Sequence, residues 1–323
     1  MSNSGLDKVA VLGTGVLGGQ IAWHSAYNGK QVVAYNRREE SLYKVRDAHD
    51  QLAQIYRSDL GASDADIAAT RSRITYLSDL EQAVKDADLV IESLPEIPAV
   101  KTEYYEKMAD FLPARTIIVT NSSTFLPRDF AESTGRPEKF CSLHFANLIW
   151  ALNMVEIMAH PGTAEDTLTR VVTFGIEIGQ VPIPIQKEQN GYVINVWLQA
   201  MVNAAQSLVT NGVSTPEDVD RTYMIANRGC SMGPFGVIDT IGMKTQFDIF
   251  DYWGKSNNDA QMIKNAEYLK THFLDKGLLG RETNQGYYSY PNPEYTDPTF
   301  ISVPDFSEVP NIVRLANLRQ GTG

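Results

Sequence analysis

Two stretches of the chain end in polar side chains that could transfer protons. The run "TIIVTNSST" ends with Asn121, Ser122 and Ser123. The run "KFCSLHFAN" ends with His144 and Asn147. A histidine, with an ordinary pKa of about 6.5, can take and return a proton near neutral pH. Ligands of open α/β sheets bind beyond the carboxyl ends of the strands, which favours chemistry here, although each residue alone is also typical of a loop cap or turn.

A glycine-rich segment follows the first apolar run, in "KVAVLGTGVLGGQIA", and matches the pattern G-x-G-x-x-G. Its cofactor-binding positions are Gly13, Gly15, Val16, Leu17 and Gly18. In this pattern the first glycine makes a turn, the second lets the backbone approach a pyrophosphate, and the third packs a helix on a strand. The segment predicts a dinucleotide site at the start of a helix, although a structural glycine turn would show the same residues.

The second strand ends in "AYNRREE", where an NAD site usually carries Asp or Glu for the ribose 2′-hydroxyl. This chain has Asn36, followed by Arg37 and Arg38. An asparagine can still bind a hydroxyl and does not repel a 2′-phosphate, and a guanidinium group could clamp that phosphate. The sequence therefore leaves both NAD and NADP open, and the arginines could equally be solvated residues at the start of a helix.

Composition excludes several classes of protein. The chain has 323 residues and a formal net charge of −11, which favours two domains and disfavours binding to nucleic acid or anionic lipid. Its two cysteines, Cys141 and Cys230, lie far apart in sequence, so we expect no disulfide framework and a cytoplasmic location. No HExxH motif or cluster of Cys and His is present, so we expect no metal site.

The uncharged run at 189–216 is long enough to span a membrane. However, Asn195, Gln199, Asn203 and Gln206 recur along it at helical spacing. These side chains would form a polar stripe on one face, which is costly in lipid. We therefore predict a buried helix in a helical domain and no membrane span. The N-terminal "MSNSGLDK" leads directly into a strand, so we expect no signal peptide.

Short β-branched runs alternate with helical patterns in the first half of the chain, which predicts a parallel sheet covered by helices on both faces. The predicted strands are Val9–Leu12, Val32–Tyr35, Leu89–Ile91, Ile117–Val119, Phe140–Leu143 and "NMVEIMA". A helix ending at Gly179 follows, and "VPIPI" then predicts an edge strand, because proline cannot donate to an inner ladder.

Helical periodicity dominates after "QKEQNGY". The fold class we predict is α/β, with a Rossmann-type parallel-sheet domain over 1–186 followed by a smaller all-α domain over 187–290. We expect an extended C-terminal tail over 291–323, with a short helix at "IVRLANL".

Several further runs resemble the 3-hydroxyacyl-CoA dehydrogenase family in order and spacing. They are "DLVIESLPE…K", "TNSS", "LHFAN", "MVEI", "NGYVIN", "CSMGPFGVIDTIG" and "GRETNQGYYSY". The resemblance covers roughly 7–290. It implies a dinucleotide-binding domain followed by a helical domain that pairs as a homodimer, and reversible oxidation of a 3-hydroxy group, most simply on a CoA thioester.

The resemblance also assigns roles to residues of the motifs. His144 would be the general acid/base and Glu156 the carboxylate that orients it. Ser123 and Asn195 would hold the substrate oxygen. The logic is that of a serine-protease triad, in which the carboxylate fixes the histidine tautomer. Without the resemblance, Glu156 would be interpreted as a solvent-facing strand residue, since "NMVEIMA" alternates.

The resemblance assigns other residues to the nicotinamide cofactor, which is NAD in most members of the family. Glu96 and Lys101 would line the nicotinamide side of the site, and Asn121 is counted with the cofactor-binding residues. The nicotinamide would carry the hydride, so no metal is required.

The chain departs from the family pattern beside the substrate. Leu148-Ile149-Trp150 stands where Pro-x-Pro is frequent, and Val196 stands where Arg is frequent. These changes leave open a small 3-hydroxy acid, such as a sugar acid or a carnitine-like acid, or a diketone, in place of a CoA thioester. A non-catalytic, crystallin-type protein is a further alternative. The 3-hydroxyisobutyrate dehydrogenase type is disfavoured, because 191–211 lacks the lysine that it requires.

Overall fold

The computed structural model describes residues 3–214, 216–230 and 232–317. It has two compact units. The first comprises Met1–Ala204 and Val303–Gly323, and the second comprises Ala205–Ser302. The domain limits at 186 and 290 that the sequence suggests differ from this division and stay predictions.

An eight-stranded sheet in the order β3-β2-β1-β4-β5-β6-β7-β8 forms the centre of the first unit. Its strands are β1 Lys8–Leu12, β2 Gln31–Tyr35, β3 Ile74–Leu77, β4 Leu89–Glu92, β5 Ile117–Thr120, β6 Phe140–Phe145, β7 Met154–Met158 and β8 Val181–Ile185. All neighbours are parallel except β6 and β7, which pair antiparallel. The Rossmann-type α/β fold that the sequence predicts is thus confirmed.

Twelve α-helices accompany the sheet in the described residues. They are α1 Val16–Tyr27, α2 Glu39–Leu60, α3 Asp64–Ser72, α4 Leu80–Val84, α5 Pro98–Ala109, α6 Glu165–Glu177, α7 Ile194–Thr210, α8 Pro216–Ala226, α9 Pro234–Ile241, α10 Met243–Asn257, α11 Ala260–His272 and α12 Val309–Ala316. Helices α8 to α11 form the second unit, which is all-α as predicted.

Side chains of β1 alternate between two apolar clusters, one on each face of the sheet. Val9 and Val11 belong to the cluster that includes α1, α6 and α12, whereas Ala10 and Leu12 belong to the cluster that includes α5. A strand that is buried on both faces reads as a continuous apolar run, which is the sequence signal of β1. This two-sided burial holds the carboxyl ends of the strands at one fixed edge.

The sequence predicted one edge strand of the sheet and not the other. Strand β8, with Pro182 and Pro184, is an edge strand, as predicted. Strand β3 was not predicted, because Ile74–Leu77 is a run of four residues without a strong apolar pattern. It pairs only with β2 and closes the opposite edge.

The C-terminal segment ends in the short helix α12, which the sequence also predicted. Val309, Ile312, Val313 and Ala316 are buried in the core beside α6 and β8. Their spacing of three, one and three residues places them on one helical face.

Helix α7 covers most of the uncharged run at 189–216 and differs from the buried helix that the sequence predicted. Val196 and Trp197 are 50% and 49% exposed in the single chain. The side chains of Asn203 and Gln206, two members of the predicted polar stripe, lie outside those that the structure describes. In the described residues, no helix is both long and apolar enough to cross a membrane. The cytoplasmic location stays a prediction.

Two buried histidines support the first helix of the sheet domain. His24 contacts the Tyr56 hydroxyl at 2.6 Å, and His49 contacts the Gly19 carbonyl at 3.0 Å. Burial is the main cause that lowers the pKa of each ring to about 4. Both rings are therefore neutral in the folded protein at neutral pH.

We predict that acid destabilises the fold through these two histidines. The unfolded chain binds their protons below pH 6.5, whereas the folded protein binds them only near pH 4, so their contribution to stability is complete above pH 6.5 and is lost as pH falls towards 4. The loss between pH 7.5 and pH 5 should be about 2 kcal/mol per histidine. Urea unfolding of the wild type and of His24→Gln measures it. His272→Gln, which changes an exposed ring, is the control. An unchanged pH slope in His24→Gln would contradict the prediction.

Candidate active site

The glycine loop between β1 and α1 is packed tightly at two glycines and open at a third. Gly13 has φ +98°, and a Cβ there would lie 2.3 Å from the Ser93 carbonyl oxygen. A Cβ at Gly18 would lie 1.9 Å from the Gly13 carbonyl oxygen. At Gly15, which caps α1, a Cβ would meet no atom within 4 Å. The start of α1 is thus open at Gly15, and the first N–H groups of a helix have no partner within it, which suits a phosphate.

A cavity of about 470 Å³ begins at this loop and extends along the end of β2. Its lining residues are Gly13, Thr14, Gly15, Tyr35, Asn36, Arg37, Arg38, Ser41, Ser93, Leu94, Pro95, Ile97, Val100 and Tyr104. No carboxylate is among them. The open loop and this cavity fit a dinucleotide, which would supply the hydride acceptor when bound.

Asn36 supports the glycine loop from the end of β2. Its amide nitrogen donates to the Thr14 hydroxyl at 3.0 Å, and its amide oxygen accepts from the Arg38 N–H at 3.2 Å. Arg37 and Arg38 are exposed and line the cavity. Two remaining loop positions face elsewhere, since Val16 lines a second cavity and Leu17 packs on the core.

Ser123, His144 and Glu156 form a continuous hydrogen-bonded chain. The distance from Ser123 Oγ to His144 Nε2 is 3.0 Å, and that from His144 Nδ1 to Glu156 Oε2 is 2.9 Å. His144 and Glu156 are buried, while Ser123 is partly exposed. The spacing of these residues in the sequence does not predict the hydrogen bonds by itself, because His144 and Glu156 lie on different strands.

The antiparallel pairing of β6 and β7 brings the histidine and the carboxylate together. His144 stands directly opposite Glu156 in the register. In antiparallel pairs, opposite side chains on one face lie 4.5–5.5 Å apart at Cβ in general, which suits a direct hydrogen bond. The other carboxylate oxygen of Glu156 accepts the N–H groups of Val193 and Ile194, at 2.8 and 3.0 Å. The first turn of α7 therefore stabilises the negative charge.

Tyr192 completes the setting of the histidine and was not identified as a site residue from the sequence. Its ring stacks on His144 with centroids 4.4 Å apart and an interplanar angle of 13°. Tyr192 has φ +56° and follows Gly191 at φ +80°, which turns the chain into α7. Burial raises the pKa of the Tyr192 hydroxyl, so this ring stays neutral. The motif "NGYVIN" contains this turn, because its second and third residues, Gly191 and Tyr192, are the two left-handed residues that precede α7.

The geometry fixes how His144 can move a proton. A carboxylate only accepts hydrogen bonds, so Nδ1 of His144 carries a proton directed at Glu156. Nε2 is then free to accept a proton from a hydroxyl at the position of Ser123, and the imidazolium that forms is stabilised by Glu156. Ser123 Oγ and His144 Nε2 together can hold one substrate oxygen.

Asn195 lies in the first turn of α7, three residues after Tyr192. Its N–H donates to the Gly191 carbonyl at 3.1 Å. Its amide is half-buried and makes no hydrogen bond within the described residues. Helix α7, whose first N–H groups donate to Glu156, thus also carries an amide that could bind a ligand.

Three residues assigned to the cofactor have partners within the protein. Glu96 accepts from the hydroxyls of Ser122 and Thr124, at 2.8 and 2.9 Å, and so holds the loop that carries Ser123. The Asn121 oxygen accepts from the Phe145 N–H at 2.8 Å. Lys101 is wholly buried, and its assignment to the nicotinamide side of the site stays a prediction.

Lys101 is buried because its partner lies inside strand β4. Its ammonium donates to Glu92 at 2.7 Å, and neither side chain is exposed. The other oxygen of Glu92 accepts from Tyr105 and Thr120, each at 2.7 Å.

In the described residues, no group of three or more His, Cys, Asp or Glu could hold a metal ion.

The chain matches two family models in succession. Residues 8–189 match the 3-hydroxyacyl-CoA dehydrogenase NAD binding domain, and residues 191–290 match the 3-hydroxyacyl-CoA dehydrogenase C-terminal domain. Together they span most of the chain and include every residue of the proton-transfer chain.

Individual relatives support the same assignment. The mitochondrial hydroxyacyl-coenzyme A dehydrogenase of Homo sapiens is 29% identical over 290 residues, which are 88% of this chain and 91% of that protein. The L-carnitine dehydrogenase of Oceanobacillus iheyensis is 31% identical over 236 residues, 71% of this chain and 74% of that protein. A solved diketoreductase, described as acting on dicarbonyl compounds, is 40% identical, has a TM-score of 0.65, and covers 90% of this chain and 100% of its own. By its two domains and its relatives, this chain belongs to the 3-hydroxyacyl-CoA dehydrogenase family and is a nicotinamide-dependent oxidoreductase.

Proposed function

We propose that this protein catalyses the reversible oxidation of the 3-hydroxy group of a 3-hydroxyacyl substrate, with His144 as general acid/base. The hydrogen-bonded chain from Ser123 through His144 to Glu156 carries the proposal, because it supplies a proton acceptor of fixed tautomer at a partly open position. Asn195 joins Ser123 in holding the substrate oxygen. A 3-hydroxyacyl-CoA of the 3-hydroxybutyryl type is the lead substrate, in line with the relatives named for CoA.

A small 3-hydroxy acid or a diketone is the second candidate substrate. The 40% identity to a diketoreductase and the 31% identity to an L-carnitine dehydrogenase favour it. A local contact favours it too, since Trp150 Nε1 donates to the Asp59 carboxylate at 2.9 Å. This contact places the Asp59 carboxylate beside the loop that carries Trp150, and a negative charge at that position disfavours a polyphosphate handle. A non-catalytic, crystallin-type role is disfavoured by the intact proton-transfer chain.

The proposed function is tested by a substrate panel that is followed by nicotinamide absorbance. The panel contains acetoacetyl-CoA, gulonate, carnitine, a simple 3-hydroxy acid and a diketone, each with NAD(H) and NADP(H). We expect turnover of at least one substrate by the wild type. His144→Ala should abolish that turnover and leave cofactor affinity nearly unchanged, because the imidazole moves the proton and does not line the cofactor cavity. His272→Ala, at an exposed ring, is the control. Unchanged turnover in His144→Ala would remove the proposed base.

We propose that the cofactor site accepts NADP as well as NAD, the family default. Asn36 replaces the acidic residue that would repel a 2′-phosphate, and Arg37, Arg38 and Ser41 line the same end of the cavity. A guanidinium group can bind a phosphate through two parallel hydrogen bonds.

Arg37→Ala should therefore weaken NADP more than NAD, by roughly tenfold, the loss of one charge-assisted contact. Dissociation constants for both cofactors, measured by nucleotide fluorescence, give the ratio. Arg46→Ala, on α2 and outside the lining of this cavity, is the matched control. An equal loss of both affinities, or of neither, would exclude the phosphate clamp.

We also propose that the protein forms a homodimer through its helical unit. The family resemblance supports this proposal, and this unit carries large apolar side chains that an interface could cover, among them Phe235, Ile249 and Ile263, which are 52%, 40% and 40% exposed in the single chain. Sedimentation velocity should give twice the mass of the 35.9 kDa chain. Ile249→Glu should shift the protein towards the monomer, whereas Leu60→Glu, on α2 and 42% exposed, should not. A monomeric wild type would contradict the proposal.

A further inference from the structure

The loop after β6 forms one wall of a second cavity, of about 540 Å³. Leu148 and Trp150 of this loop line it, and so do Thr14 and Gly15 of the glycine loop. Because Thr14 and Gly15 also line the cofactor cavity, the second cavity begins where the first one ends. It lies at the carboxyl edge of the sheet, as does His144, which stands one residue before the end of β6. Helix α2 contributes four apolar side chains to the lining, those of Val45, Ala48, Leu52 and Ile55, and one charged side chain, that of Lys44.

A buried side chain of α1 holds the backbone of this loop. Gln20 Oε1 accepts the N–H of Leu148 at 2.9 Å and, more weakly, that of Ile149 at 3.5 Å. Leu148 has φ +59°, a left-handed conformation that bulky residues rarely adopt. Such a residue persists only where its surroundings fix it, and the Gln20 oxygen is the acceptor that fixes its N–H group.

Two further contacts fix the remainder of the loop. Gln180 Nε2 donates to the Ile149 carbonyl at 3.3 Å, and Ile149 is fully buried. Trp150 donates to Asp59 and packs near Tyr56, with ring centroids 5.8 Å apart. The loop is therefore held by side chains, whereas the family pattern described above stiffens it with proline.

We propose that Gln20 is a positioning residue that sets substrate selectivity by holding Leu148 as a rigid wall of the second cavity. The wall narrows the space for the part of the substrate that is remote from the reacting carbon. It therefore favours substrates with a small handle over CoA thioesters. This inference rests on the proposed function, since selectivity is measured on those substrates.

The experiment compares Gln20→Leu with Gln20→Glu. Leucine has a similar size but no acceptor, whereas a carboxylate oxygen can still accept the Leu148 N–H. We measure the ratio of kcat/KM for a small diketone to kcat/KM for acetoacetyl-CoA. The ratio should fall about tenfold in Gln20→Leu, mainly through KM, and should be kept within about twofold in Gln20→Glu. Gln54→Leu, on α2, exposed and outside the lining of this cavity, should leave the ratio unchanged.

Amide hydrogen exchange tests the anchor without any substrate. Peptides that cover residues 146–152 should exchange faster in Gln20→Leu than in the wild type or in Gln20→Glu. Leu148→Gly should lower the selectivity ratio as Gln20→Leu does, because it removes the wall itself. The double variant should match Leu148→Gly alone, because both changes act through one wall.

The outcomes separate this inference from the proposed function. A wild type inactive on every substrate would contradict the proposed function, while exchange would still report on the anchor. An active wild type with an unchanged ratio in Gln20→Leu would overturn the selectivity role alone. Two results would show that the hydrogen bond from Gln20 to the Leu148 N–H does not set selectivity. One is equal amide exchange in the wild type and all variants, and the other is a selectivity ratio that falls as far in Gln20→Glu as in Gln20→Leu.

Discussion

A fully buried carboxylate, Glu156, imposes the constraint on which the active site depends. Moving an ionised carboxylate out of water costs several kcal/mol unless other groups satisfy it. Here the imidazole of His144 satisfies one oxygen, and two backbone N–H groups of the α7 entry satisfy the other. All three donors must be in place for the charge to be tolerated, so one side chain ties two strands to a helix.

That constraint explains why the sheet changes direction at β7. A parallel strand beside β6 would need a crossover connection, whereas the antiparallel β7 follows after one short loop. The loop carries Leu148 and Trp150, and its length sets the register that places Glu156 opposite His144. The same short connection therefore aligns the proton-transfer pair and supplies the wall of the adjacent cavity.

The sequence predicted the elements whose conformation depends on local residue patterns. It did not predict features that depend on contacts between residues distant in sequence. Apolar runs gave the strands on either side of the glycine loop, and proline gave the edge position of β8. The motif resemblance placed His144 beside Glu156, but the antiparallel register that joins them depends on contacts between strands. The burial of Lys101 could not be foreseen, because its partner Glu92 is one residue of a four-residue strand. The left-handed Leu148 depends on Gln20, which lies 128 residues away in sequence.

Glu92 and Glu156 show how the same buried group can serve structure or chemistry. Both are fully buried on strands of one sheet, Glu92 on β4 and Glu156 on β7, and both accept hydrogen bonds on both oxygens. The partner of Glu92 is Lys101, and Glu92 also accepts the Leu94 N–H, so this pair holds the segment that follows β4. The partner of Glu156 is an imidazole, whose ordinary pKa lies near neutrality. In the proposed reaction this imidazole takes and returns a proton while the carboxylate stays in place. The identity of the partner, and not the burial of the acid, therefore distinguishes the carboxylate that we propose for catalysis from the structural one.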